Sequence, residues 1–110
     1  MTTSDFDKII EKQLEYCAKL LVAKGDEYTP NTSDRLHAFK AAAALQNITP
    51  KLALCGMLAK HLVSVYDMCR SGEYTPDHWT EKITDSINYF LILGALIEEE
   101  RNEQYSDKNS

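Results

Sequence analysis

The sequence predicts an all-α fold, a four-helix bundle, on three observations. Apolar residues recur at helical spacing along most of the chain. No stretch alternates with the period of a strand. Glycines, prolines and capping residues divide the chain into four such segments.

The first helix is expected from Asp5 to Lys24, with Ser4 as N-cap and Gly25 as its C-terminal stop. Its apolar positions Phe6, Ile9, Ile10, Leu14, Cys17, Leu20 and Leu21 form one stripe. "GDEYTPNTSD" then reads as a loop, and Asp34 caps a short second helix, "RLHAFKAAAALQ". Thr49-Pro50 and Thr75-Pro76 each place a capping threonine before a proline at the first helical position, which starts helices three and four. Helix three, "PKLALCGMLAKHLVSVYDMCR", is apolar around most of its circumference and so belongs at the centre. "SGEY" breaks it, and "RNEQYSDKNS" after helix four has no apolar pattern. The expected organisation is one helical domain over residues 1–100 and a disordered polar tail over 101–110. Surplus apolar surface on helices three and four predicts a homodimer or higher homo-oligomer.

The bulk numbers exclude several classes. At 110 residues the chain is one domain, able to bury roughly 65% of its unfolded surface without staples. A net charge of −5 with no clustered Lys/Arg argues against nucleic acid as the partner. Cys17, Cys55 and Cys69 lack metal-like spacing and read as reduced thiols. With no basic-then-apolar leader at the start, the expected location is the cytoplasm. The longest apolar run holds about 11 residues against about 20 for a bilayer span, so no membrane segment is expected. Glycine-rich phosphate loops, nucleophile elbows, Cys-x-x-Cys pairs and His-Glu-x-x-His helices do not occur in the sequence.

Helix four, "WTEKITDSINYFLILGALIEEE", carries the unusual feature. At 100° per residue, Trp79, Ile83, Ile87, Phe90, Leu93 and Ile97 share a broad apolar face. Roughly opposite runs a second stripe, Glu81, Asp85 and Asn88, continued by Ile92 and Leu96. If the apolar half of that stripe is covered, its acidic half lies at the mouth of the same contact. Buried carboxylates need a cation. Glu81 and Asp85, one turn apart, suit a hard ion such as Mg²⁺; alternatively the stripe is solvated near the helix start, where negative charge suits the dipole.

Other polar residues are candidates beside them. Lys60 shares a stripe with Ser64 and Asp67 on helix three, placed either to meet a carboxylate or phosphate or to reach solvent past a buried stem. His61 points the other way, beside Met57 and Met68, and reads as a core or interface histidine. Lys24 ends the apolar side of helix one and is followed by Asp26, Glu27 and Tyr28, a second place where a polar site could form. Glu11 and Glu15 face away from the apolar stripe and read as surface charges.

"KGDEY", "AKHLVSVYDM" and "EKITDSINYFLIL" together resemble the MazG-like, all-α nucleotide pyrophosphohydrolase superfamily and the related nucleotide-modification-associated domains of phages and prophages. The resemblance spans residues 24 to about 97. It implies an oligomeric four-helix bundle in the cytoplasm of a bacterial host, using Mg²⁺ on helix carboxylates to cleave a nucleoside triphosphate to monophosphate and pyrophosphate. Asp85 and Glu81 then match the acidic positions of the later metal-binding helix, Asn88 and Tyr89 its Asn-Tyr, Lys24, Asp26 and Tyr28 its Lys-x-Asp-x-Tyr segment, and Lys60 its central basic position. The implied roles are Glu81 and Asp85 as catalytic metal ligands with Asp26 as a third, and Lys24, Tyr28, Lys60 and Asn88 as substrate contacts. The chain departs from the family in lacking a Glu-x-x-Glu pair on an earlier helix; its only such pair is Glu100 with Glu103. Half the metal site is therefore missing, which makes a bundle that binds a nucleotide without cleaving it the companion expectation. A protein-binding module and a purely structural oligomer are the readings from other classes.

Overall fold

Two Thr-Pro pairs set the frame. Thr49 Oγ1 accepts the Leu52 N–H at 3.3 Å and Thr75 Oγ1 accepts the His78 N–H at 3.1 Å. They cap α3 (Pro50–Arg70) and α4 (Pro76–Asn109), preceded by α1 (Thr3–Tyr28) and α2 (His37–Gln46). The computed structural model describes residues 1–28, 34–70 and 72–109, with the side chains of 26–28 and 106–109 outside the description. The described residues are helical almost throughout and contain no strand, in keeping with the all-α expectation.

Helix ends differ from expectation at four points, each for a local reason. At α2, Asp34 Oδ1 accepts the Leu36 N–H in a turn, so the helix begins at His37 rather than Arg35 and Asp34 is not its cap. Thr2, not Ser4, caps α1: its Oγ1 accepts the Asp5 N–H at 3.1 Å. Gly25 does not stop α1, which continues through it to Tyr28. A Cβ at Gly25 would lie 2.8 Å from Arg35 Nε, so the missing side chain makes room for Arg35. Of the expected loop, residues 29–33 lie outside the described residues. Residues 101–109, expected as a disordered tail, continue α4. An established helix propagates through Glu, Arg, Asn and Gln without needing an apolar face, and Arg101 pairs with Glu98 one turn back at 3.8 Å.

α2 ends as its sequence requires. Asn47 takes the left-handed conformation at φ 55°, and the N–H groups of Asn47 and Ile48 close on the carbonyls of Ala44 and Ala43. α3 packs against both α2 and α4, and α4 in turn carries α1. Phe39, Leu54 and Leu96 form the core at the α2–α3–α4 junction, with Met57, Tyr89 and Ile92 against it. At 1.5 Å per residue α4 is about 51 Å long, which accounts for the 53 Å long axis of the molecule.

The packing of α4 covers its mixed stripe, as the sequence allowed, and leaves much of the broad apolar face open. Asn88 and Leu96 of the mixed stripe are buried, whereas Ile83, Phe90 and Ile97 of the broad apolar face are exposed. α3 also differs from the membrane expectation: by length and composition it is apolar enough to cross a bilayer, with mean hydropathy 1.3 over an 18-residue window. It nevertheless stands between α2 and α4 and carries Lys60, His61 and Asp67.

Ion pairs clamp α2 and the start of α3 to the far half of α4. Lys40 bonds Asp34 at 2.7 Å and also Glu99, and Lys51 meets Glu100 at 3.0 Å. The Lys40 bond above all, then the Leu36 N–H, holds the Asp34 carboxyl below the usual carboxylate range. Lys40 is raised well above the ordinary lysine value by its bonds to Asp34 and Glu99. A depressed carboxylate stabilises the fold above its unfolded value near 4 and stops doing so as pH falls through its lower folded value. The raised lysine stays charged through that window and adds no slope there. The protection factors of α2 amides, exchange rates corrected for their intrinsic pH dependence, are therefore expected to fall below about pH 4, and Asp34→Asn to flatten that dependence. An unchanged acid profile in the variant would remove Asp34 from the account.

Candidate functional site

All four helices and the residues leading into α2 line a cleft of about 230 Å³. α4 contributes Asp85, Asn88, Tyr89 and Ile92 from successive turns of its mixed stripe. α1 contributes Leu21 and Lys24, the last residues of its apolar stripe. Met57 and His61, one turn apart, come from α3, and Phe39 and Arg35 from α2 and the residues before it. The floor is apolar and the charges stand at the rim.

The electrostatics of the rim are mixed. Lys24 Nζ lies 3.8 Å from Asp85 Oδ1, a loose pair whose carboxylate side chain is 15% exposed. Arg35 is pinned from behind: Nη2 donates to the Leu21 carbonyl at 3.0 Å, which fixes the guanidinium over the last turns of α1. Among the described residues, two cations and one carboxylate stand at the rim.

The floor holds an unpaired amide. Asn88 is 6% exposed, and among the described residues neither Oδ1 nor Nδ2 has a hydrogen-bond partner. Leaving a buried polar atom unpaired costs about 1–3 kcal/mol. Its neighbour Thr84 shows what satisfaction looks like here, for Gln13 Nε2 donates to Thr84 Oγ1 at 2.8 Å. His61 Nδ1 is likewise buried without a partner, its ring tilted against Tyr89 at 4.9 Å between centroids. Asn88 and His61 therefore both line the cleft, with these polar atoms buried beneath its surface.

Of the residues singled out from the sequence, the fold brings Lys24, Asp85 and Asn88 together. Glu81 is exposed and lines a separate shallow groove with Tyr16, Lys19 and Asp77. Lys60 is exposed, away from the cleft-facing side of α3 that carries Met57 and His61. The side chains of Asp26 and Tyr28 lie outside the described residues. His61, read as a core or interface residue, packs its ring on Tyr89 beside the core and also lines the cleft. Arg35 was not anticipated, because a cation just after an expected helix cap carries no periodic signal; its shape complement, Gly25, was read only as a helix stop.

A divalent metal fits this arrangement poorly. Among the described residues no three His, Cys, Asp or Glu side chains gather as a metal site. Among the described residues Asp85 is the single carboxylate of the cleft, and it faces an ammonium. A hard cation would have to displace Lys24 and draw most of its ligands from water. Comparison with protein-family models, with curated proteins and with solved structures finds no match.

Proposed function

We propose that the cleft binds a small phosphorylated ligand of nucleotide type, and that binding needs no divalent metal. The observation that carries this reading is the buried Asn88 amide, with donor and acceptor both unpaired, beneath a rim bearing Lys24 and Arg35. An amide edge complements the adjacent donor and acceptor of a nucleobase. An ammonium and a guanidinium complement phosphate oxygens. Phe39, Met57 and Ile92 supply the apolar wall that ligand sites generally have. The volume sits just under the usual range of about 300–1,000 Å³, which favours a monophosphate or part of a larger ligand over a bulky one. Mg²⁺-dependent pyrophosphate release, implied by the family resemblance, has less support, because Glu81 and Asp85 do not share a cleft.

A thermal-shift panel of nucleotides, nucleosides and inorganic phosphate tests the reading, each with EDTA and with Mg²⁺. A ligand at a hundred times its dissociation constant adds about 2.7 kcal/mol of stability. Stabilisation by nucleotides in EDTA is the expected result. Lys24→Ala should weaken nucleotides at least tenfold while leaving nucleosides unchanged. Stabilisation by none of the panel defeats the proposal, and pyrophosphate release that requires Mg²⁺ replaces it with the catalytic reading.

A further inference from the structure

We infer that Asp85 reads the sugar of the ligand, accepting hydrogen bonds from the vicinal hydroxyls of a ribose and so favouring ribonucleotides over deoxyribonucleotides. This rests on the nucleotide reading of the cleft and narrows its substrate class. Asp85 is unusual in what it lacks. Its side chain is 15% exposed, and its one ion-pair partner among the described residues is Lys24 at 3.8 Å, beyond hydrogen-bond reach. No hydrogen bond from the described residues reaches either carboxylate oxygen. The carboxylates that hold the helices together are served differently. Asp34 accepts from Lys40 at 2.7 Å and from the Leu36 N–H at 3.0 Å, and Glu100 meets Lys51 at 3.0 Å. A mostly buried carboxylate held by one distant charge is short of donors.

Position along the cleft says what supplies them. Asp85 stands between two other cleft residues. On one side is the Lys24 ammonium at the rim. On the other is Asn88, one turn along α4, where side chains three apart lie about 5–6 Å from each other. Asn88 is buried, whereas Asp85 is only half-buried. Amide, carboxylate and ammonium thus follow in that order from floor to rim. A nucleotide has a matching order of base, sugar and phosphate. The base edge suits the amide and the phosphate suits the cations, which leaves the carboxylate opposite the sugar. A phosphate is repelled by that carboxylate. Hydroxyls are not, and an ionised carboxylate accepts from them on both oxygens. The acidic residue of dinucleotide-binding folds holds a ribose hydroxyl in this way. A deoxyribose withdraws one donor and leaves an acceptor unpaired, the kind of loss that separates substrates most strongly.

Calorimetric titration of the full chain in EDTA tests it, using ribo- and 2′-deoxyribonucleoside monophosphates of each base. The wild-type chain is expected to bind the preferred ribonucleotide at least about tenfold more tightly than its deoxy form. Asp85→Ala is expected to abolish that preference while binding of the deoxy form holds or rises, because Lys24 is released to the phosphate. Asp85→Asn, which keeps one acceptor oxygen, is expected to give an intermediate preference. Lys24→Ala is expected to weaken both forms alike and preserve the preference. Equal binding of the two sugars by the wild-type chain, or tighter binding of the deoxy form, overturns the inference and leaves the nucleotide reading standing. A ribose preference that survives Asp85→Ala puts the sugar contact elsewhere and overturns it too. So does an altered base preference in Asp85→Ala with the sugar preference intact, which assigns Asp85 to an exocyclic amino group. Binding of no nucleotide by the wild-type chain overturns this inference and the nucleotide reading together.

Discussion

Leu54→Ala is expected to destabilise the fold by about 3–5 kcal/mol, in the upper part of the range for leucine truncations. Leu54 is 0% exposed and sits on the central helix between α2 and α4, touching the core from both sides. Neither neighbour can collapse into the space without losing contact with the other, so the lost transfer free energy is joined by a cavity term. Total stability for a domain of this size is about 5–15 kcal/mol, so the variant loses a large share of it. Urea denaturation followed by circular dichroism measures the change, with Leu62→Ala as a control on the same helix. Leu62 is exposed, and its truncation should cost under about 1 kcal/mol. A Leu54→Ala cost equally small would mean that α3 is not the central helix.

The features legible in the sequence are those set by local chemistry. Thr49-Pro50 and Thr75-Pro76 start helices as the sequence expects, while Thr29-Pro30, read as loop, lies outside the described residues. The near-uniform apolarity of α3 marks a helix with neighbours on more than one side, and it has them in α2 and α4. Features decided by distant partners were not legible. Gly25 looks like a stop because glycine usually is one; that it clears space for Arg35 depends on where the chain returns ten residues later. The broad apolar face of α4 looks like a core face, and periodicity cannot tell whether the covering surface belongs to the same chain. The site was legible by half. A helical wheel places Asp85 and Asn88 on one stripe, but it also places Glu81 there. α1 crosses that stripe, so Glu81 lines one groove and Asp85 another.

Asn88→Leu gives the sharpest test of that division, because it is expected to move stability and binding in opposite directions. Leucine shares the branching and heavy-atom count of asparagine, and its larger bulk would extend towards a space already lined by Phe39, Met57 and Ile92. The substitution removes a buried donor and acceptor that lack partners, and each such atom costs about 1–3 kcal/mol. The ligand-free protein is therefore expected to gain on the order of 1–3 kcal/mol, while any nucleotide-dependent thermal shift disappears. A residue that serves only the fold behaves otherwise. Were the amide satisfied by a water held in the cleft, leucine would expel that water and strand its other partners, and stability would fall. The neighbouring Thr84 supplies the internal reference, since its hydroxyl is paired with Gln13. Thr84→Val breaks that pair, so a loss of stability there beside a gain at Asn88 separates a polar group kept for the fold from one kept for a ligand.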